Sequence, residues 1–353
     1  MKDGQAVTGR SDYLLRNARM EYRRLGSSDV KVSVVTFGSW AIGGWMWGKQ
    51  DEADAIAAIE TSIAEGATSI DTAAIYGFGT SEEIIGKVIA KRKRDQVQIL
   101  TKYSMHWDKQ EGEFFFDSKD NAGHPVKIYL NARKKDVLEE CEKSLRRLRT
   151  DYIDLYQCHW RDHTTPVSET MEAMEKLLKD GKIRAAGVSN FSVEDVQEAM
   201  KTVPLASYQG PYSMVKRDLE KDVLPFCRKH RLAVLAYSPL QRGLLTGKFT
   251  ENTPFAEGDN RASSQHFQAE NLKRVNEMLK EIRPIASAHK ATIAQVVIHW
   301  TIRRPGITAA LVGARNAKQA RENAAAAALS LSAEELARID ELISGLKLDV
   351  AKP

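Results

Sequence analysis

A closed (β/α)8 barrel is the fold class this sequence predicts, and three observations predict it. Short apolar or β-branched runs alternate with amphipathic helical stretches. Eight such runs occur in one continuous series. No glycine-rich dinucleotide fingerprint follows the first of them. Alternating units with mostly apolar strands imply a parallel sheet covered by helices. Eight in series imply closure. A doubly wound open sheet, the runner-up, would carry Gly-x-Gly-x-x-Gly after strand 1. Gly77-Phe78-Gly79 comes nearest but lacks the third glycine, so it reads as a turn feeding the helix capped by Ser81.

The elements follow in order. Residues 1–20 read as a polar, basic and flexible extension, and 21–353 as one barrel domain. Strand 1 is expected at Val32–Phe37. A helix over Asp51–Glu65 has apolar residues at helical spacing and stops before Gly66. Strand 2 is Thr68–Asp71. Ser81-Glu82-Glu83 opens a helix with a capping serine and two early carboxylates. The run Lys91-Arg92-Lys93-Arg94 reads as a solvated helix end that suits the dipole rather than a nucleic-acid patch. Strand 3 is Val97–Lys102, strand 4 Ile153–Gln157, strand 5 Ile183–Val188, strand 6 Ala206–Gln209, strand 7 Leu232–Tyr237 and strand 8 Ala309–Val312. Helices are expected at Val167–Leu178, ending at Asp180-Gly181, and at Val193–Met200 behind the cap Ser192. The Ala324–Ala328 tract favours helix, and Ser332–Leu342 reads as an added C-terminal helix. Two connections are long: Tyr103–Arg133, which carries Phe114-Phe115-Phe116, and Pro239–Glu270. Both follow strand C-termini, so both lie on the barrel face that holds active sites.

Composition narrows the function. The 353 residues carry a formal charge of +5, too thin for nucleic acid though mildly favourable to an anionic ligand. No apolar run approaches the roughly 20 residues that span a bilayer, and the first residues have no apolar signal core. Cys141, Cys158 and Cys227 are odd in number, far apart and without metal or redox spacing, which fits reduced thiols in a cytoplasm.

The strand ends carry the chemistry. Strand 2 runs out through Asp71 to Tyr76, strand 3 ends in Lys102, and strand 4 ends in Tyr156-Gln157-Cys158-His159-Trp160. In a barrel these bring a carboxylate, a phenol, an ammonium and an imidazole to one mouth. Singly, each has a plain structural explanation: a turn cap for Asp71, packing for Tyr76 or His159. A buried Lys102 is harder to dismiss, because an uncompensated ammonium is costly there, and Asp71 is its natural counter-charge. An ammonium beside a phenol lowers its pKa from about 10, so Tyr76 would serve as general acid at a developing alkoxide. His159 would donate a hydrogen bond to the same oxygen. The spacing of His159, Asp162 and His163 matches no standard metal site. A hydride-donating cofactor is the simplest remaining partner.

With those residues in hand, the chain from about Met20 to the C-terminal helix resembles the aldo-keto reductase superfamily. The motifs are Asp71 to Tyr76, the Lys102 strand end, and Asp151-Tyr152-Ile153-Asp154-Leu155-Tyr156-Gln157-Cys158-His159. The likeness is to its bacterial NADP-dependent branch and, more distantly, to potassium-channel β subunits. It implies a catalytic tetrad of Asp71, Tyr76, Lys102 and His159. It also implies a cofactor groove: Ser39 and Trp40 near the nicotinamide ribose, Ser189, Asn190 and Gln209 on the amide, and Tyr237 stacked on the ring. Ser238, Pro239, Leu240, Gln241, Arg242 and Gly243 would fold over the pyrophosphate. Lys248 and Arg261 would be cationic phosphate contacts, and Gly313, Arg315, Gln319, Glu322 and Asn323 the adenosine-phosphate site. Independently, Arg315 precedes the helix beginning near Asn316, and a guanidinium at a helix N-terminus suits a phosphate. That favours NADP(H) over NAD. Ser213 after Tyr212, and Gln241, depart from the family pattern and bear on fine cofactor packing. Trp40, Trp47, Trp107 and Trp160, with Trp45, suggest an aromatic substrate pocket. The implied reaction is NADPH-dependent reduction of small-molecule aldehydes or ketones. A cofactor-sensing binding module and a Schiff-base aldolase using Lys102 stand as alternatives. Monomer and homo-oligomer are both open.

Overall fold

The computed structural model describes residues 20–48, 50–255 and 259–350. Eight strands form the barrel: β1 (Val35–Gly38), β2 (Ser69–Asp71), β3 (Gln98–Tyr103), β4 (Leu155–Cys158), β5 (Ala186–Ser189), β6 (Leu205–Pro211), β7 (Ala233–Tyr237) and β8 (Ile307–Gly313). They close in sequence order, with β8 pairing β1 and β4 pairing β5, and every pairing is parallel. The sheet is fully buried, so its strands are continuous apolar runs. Leu100, Leu155, Leu235 and Leu311 fill the interior above Leu25, Val30 and Val32.

Ten helices are described: α1 (Glu52–Ala64), α2 (Thr80–Ile89), α3 (Lys134–Leu148), α4 (Val167–Lys179), α5 (Val193–Met200), α6 (Val223–His230), α7 (Ala269–Ala288), α8 (Ile293–Arg303), α9 (Ala317–Ala325) and α10 (Ala333–Gly345). Caps fix several starts. Asp51 and Ser192 accept from the N–H groups of Asp54 and Asp195, and Thr292 and Ser332 head reciprocal boxes with Gln295 and Glu335.

Four expectations are corrected. The first strand is split at Val34: Lys31–Ser33 pairs antiparallel with Tyr22–Arg24 beneath the barrel, and only Val35–Gly38 joins it. Ser33 donates to the Val35 carbonyl and Thr36 to the Ser33 carbonyl, and these local bonds break the ladder. The cap of α2 is Gly79, at φ 99°. Ser81 lies inside the helix, its hydroxyl turned to Ser39 and Thr72. Arg94 is not a solvated helix end: its guanidinium bonds Asp154 at 2.7 Å and lies 4.1 Å from the Tyr152 ring centroid. The connection after β3 is no open loop. It holds a three-stranded antiparallel sheet, Met105–His106, Glu113–Lys119 and Pro125–Leu130, with the last strand in the middle. Of the expected 1–20 extension, 1–19 lie outside the described residues. Met20 is buried against the core with Val34 and Ile298.

Candidate active site

The mouth is built where β2, β3 and β4 end. Lys102 and Asp71 are 1% and 3% exposed. Lys102 Nζ donates to Asp71 Oδ1 at 2.7 Å and to the Thr72 carbonyl at 2.8 Å, and lies 3.4 Å from the Tyr76 hydroxyl. Asp71 Oδ2 accepts from Gln209 Nε2 at 2.9 Å. His159 meets the Tyr76 ring edge-on, centroids 5.7 Å apart. The four sequence-predicted residues are therefore brought together.

Burial sets their protonation. It pushes the Asp71 carboxyl up and the Lys102 ammonium down, each against the pull of the other's charge. Burial first, then the Asp71 carboxylate, pushes the Tyr76 phenol well above its ordinary value. The expected lowering by Lys102 is corrected: burial is the larger cause of the rise, and the Asp71 carboxylate, paired to Nζ at 2.7 Å, adds to it. Burial and the Lys102 charge hold His159 far below the usual histidine range, so its imidazole is neutral.

The turn that presents Tyr76 rests on close backbone contact. A Cβ on Gly77, at φ 64°, would strike the Gly43 carbonyl oxygen, and one on Gly43 would lie 2.8 Å from the Tyr76 carbonyl carbon. Asn121, at the tip of the three-stranded sheet, donates to the Gly43 carbonyl at 3.0 Å and the Gly77 carbonyl at 3.4 Å.

The expected cofactor residues line successive strand ends, in differing states. Ser39 is fully buried and its hydroxyl accepts from Ser81, a packing role rather than a ligand-facing one. Trp40 stacks on Tyr76 and meets Trp47 edge-on, and among the described residues neither buried indole N–H finds an acceptor. Ser189 is buried under Asn190, whose amide donates to the His159 carbonyl and accepts from the Tyr237 hydroxyl at 2.9 Å. Gln209 spends its Nε2 donor on Asp71, which leaves its carbonyl oxygen as the atom that could meet a ligand's amide. Ser238, Gln241 and Arg242 all have positive φ, shaping a tight turn after β7 with Pro239 and Leu240. Arg242 lies 5.6 Å over Trp40. Arg261 is clamped by Asp259 at 2.6 Å and lies over Trp47. Lys248 is exposed. Arg315 donates to Gln50 and, through its backbone, to Gln319. Asn323 donates to the Gly313 carbonyl, and the Glu322 carbonyl accepts from Gln295. The departures Ser213 and Gln241 are hydrogen-bonded to each other at 3.3 Å.

A cavity of about 720 Å3 opens beside Tyr237, Ser238, Gln241 and Arg242, with Lys216 and His266 on its wall. Nothing in the sequence pattern marks those last two. Of the tryptophans, Trp107 packs on Phe78 and Trp160 on Phe115. Trp45 donates to Ser118 and stacks on Phe116, so it braces the loops. Asp162 anchors the turn after β4 by accepting from Ala132, Thr164 and Thr165.

A parallel barrel with these four groups at its mouth defines a class, and the comparisons agree with it. Residues 34–344 match the aldo/keto reductase family. The chain belongs to that family, whose members are nicotinamide-dependent oxidoreductases acting on aldehyde and ketone carbonyls. It is 37% identical over 336 residues to the aldo-keto reductase YhdN of Bacillus subtilis (strain 168), covering 95% of this chain and 97% of that one. It is 34% identical to the NADH-specific methylglyoxal reductase of Escherichia coli (strain K12), with 92% and 98% covered. Among solved structures, the glycerol dehydrogenase AKR11B4 of Gluconobacter oxydans aligns at TM-score 0.83 and 36% identity over 95% and 98% of the chains. An aldo/keto reductase of Klebsiella pneumoniae in complex with NADP and acetate aligns at 0.67 and 32% over 91% and 96%. Among the described residues no helix is long and apolar enough to cross a membrane.

Proposed function

We propose that this chain reduces aldehydes or ketones to alcohols, reversibly, with NADPH as reductant and Tyr76 as proton donor. The carrying observation is the buried Lys102–Asp71 pair set against the Tyr76 hydroxyl at 3.4 Å.

The residues present fit the cofactor. The Trp40 and Trp47 indole N–H groups and His266 Nε2 are buried and lack partners among the described residues, as groups awaiting a polar ligand would. Arg242 and Tyr237 line a cavity of suitable size. Tyr237 would lie under the ring, the turn from Ser238 to Arg242 would wrap the pyrophosphate, and Arg315 ahead of α9 would meet the 2′-phosphate. Lys248 and Arg261 would add positive charge nearby. The NADP-bound relative supports this choice, while the NADH-specific relative makes Arg315 the residue to test.

When bound, the nicotinamide supplies the hydride to the carbonyl carbon. Everything else falls to the protein. The raised pKa keeps the Tyr76 proton in place until negative charge develops on the substrate oxygen. As the proton leaves, Lys102 stabilises the phenolate, so its charge acts in the transition state rather than in the resting enzyme. Asp71, held by Gln209, keeps Lys102 in position. Neutral His159 donates one hydrogen bond to the same oxygen. Trp40, Trp47, Trp107 and Trp160 would wall the substrate and exclude water. Lys102 is engaged by Asp71 and Thr72, which argues against a Schiff-base nucleophile. Three buried, unpaired cysteines suit a reducing cytoplasm.

The test is absorbance loss at the reduced-nicotinamide band, with NADPH and NADH separately, against an activated aromatic aldehyde. Loss that is faster with NADPH is expected. No loss with either sinks the reductase reading and leaves a cofactor-sensing module. Faster loss with NADH removes the role given to Arg315.

A further inference from the structure

Ser104, two residues beyond Lys102, is a non-glycine residue at φ 89° and is fully buried. A serine in that region costs of order 1–3 kcal/mol and persists only when its surroundings fix it. The surroundings do fix it, with four hydrogen bonds to three other segments. Its N–H donates to Glu140 Oε2 of α3 at 3.0 Å. Its hydroxyl donates to the Trp160 carbonyl at 2.9 Å and accepts from the Trp160 N–H at 3.3 Å. Its carbonyl accepts from the Asn131 N–H at 2.9 Å. Next to it, the His159 N–H donates to the Tyr103 carbonyl at 2.9 Å. One residue thus joins the end of β3, which carries Lys102, to the end of β4, which carries His159.

Glu140 is itself buried and has its own partner. His106 Nε2 lies 3.2 Å from Glu140 Oε2, an ion pair out of line for a hydrogen bond, and His106 Nδ1 lies 3.6 Å from Asp108. Burial alone would lower the His106 pKa, but the two carboxylates raise it to about 10, so the ring is charged. Buried groups in an unusual backbone conformation beside a reacting centre are a positioning device.

We propose that Ser104 and Glu140 are positioning residues that set His159 relative to Lys102. This rests on the carbonyl-reductase reading, in which those two groups address one substrate oxygen. An error of about 1 Å in such a placement costs on the order of 100-fold in rate.

The test uses Ser104→Gly, Glu140→Ala and Glu140→Gln in the full chain. Glycine adopts φ 89° without strain, so Ser104→Gly removes the hydroxyl without threatening the fold. Lys109→Ala, which breaks outer pairs to Asp136 and Glu139, is the control. Ser104→Gly is expected to unfold within a few degrees of wild type, relief of the positive φ offsetting the two lost hydroxyl bonds, and to bind NADPH as wild type. Its kcat should fall on the order of 10- to 100-fold. Glu140→Ala should behave likewise, with Glu140→Gln recovering part of the rate. In histidine-labelled protein, the imidazole resonance that His159→Asn abolishes should move in Ser104→Gly and stay put in Lys109→Ala. That resonance needs no turnover, so a wild-type chain inert towards every carbonyl would fail the functional reading while the shift still decides this one. An unmoved His159 resonance in Ser104→Gly overturns the proposal, whatever its kcat.

Discussion

Replacing Tyr76 by phenylalanine removes one oxygen and leaves the ring. The ring keeps its stack on Trp40 at 6.2 Å, its edge contact with His159 at 5.7 Å, and Lys102 at 5.0 Å from its centroid. The lost polar contact is the 3.4 Å one to Lys102, whose Nζ retains Asp71 and Thr72. A hydrogen bond at that length contributes under about 1 kcal/mol, so unfolding should shift by no more than about 3 °C. The effect on rate should be far larger. A positioned general acid contributes roughly 10²- to 10⁴-fold, or about 3–6 kcal/mol at about 1.4 kcal/mol per decade. Cofactor affinity, read by fluorescence quenching, should stay within about twofold, because the loss is confined to the transition state. The pH dependence has a definite sign. With the phenol held well above its ordinary value, the acid form persists through neutrality, so wild-type reduction should not lose its proton donor between about pH 6 and 9. A folded-state pKa raised above the unfolded one also means stability is lost as pH climbs past about 10, and the phenylalanine variant should lose part of that slope. Tyr76→Phe retaining a tenth or more of wild-type kcat would refute the assignment of the acid.

Other perturbations discriminate between charge, recognition and backbone. Lys102→Met leaves Asp71 buried with only Gln209; breaking a buried pair from one side costs about 3–5 kcal/mol, so both kcat and chemical-denaturation stability should fall. Arg315→Gln should raise KM for NADPH by roughly 10-fold, the worth of one charge-assisted contact, and leave KM for NADH unchanged; equal effects on both would dissociate Arg315 from the 2′-phosphate. Gly77→Ala forces a Cβ into the Gly43 carbonyl at positive φ and should cost more than about 1 kcal/mol by thermal unfolding, with kcat reduced through Tyr76.

The barrel was legible because each of its strands is buried on both faces and reads as an apolar run. The meeting of Asp71, Tyr76, Lys102 and His159 at one mouth was legible because those runs lead into ionisable residues. What the sequence hid is of a different kind. Phe114-Phe115-Phe116 shows no period-two alternation because the register shifts between Phe114 and Phe116, so that strand could not be seen, whereas Val126, Ile128 and Leu130 of its partner do alternate inward. The direction of the Tyr76 shift comes first from its burial and then from the Asp71 carboxylate, and no spacing encodes either. The same holds for Gln209, whose partner is 138 residues away. Ser104 carries no motif at all. Its importance lies in a dihedral angle and in contacts to three other segments.

The Asn121 amide has a bearing on how this scaffold could be altered. It spans from the insertion after β3 to the two glycine carbonyls that pin the loop after β1 to the turn holding Tyr76. The substrate-side loop is therefore not an interchangeable cap. Grafting a different loop there would unpin the proposed proton donor, unless positions 43, 77 and 121 travelled as one module. Loop and acid are mechanically one part, so substrate range in this chain should change most safely at the tryptophans, not at the insertion.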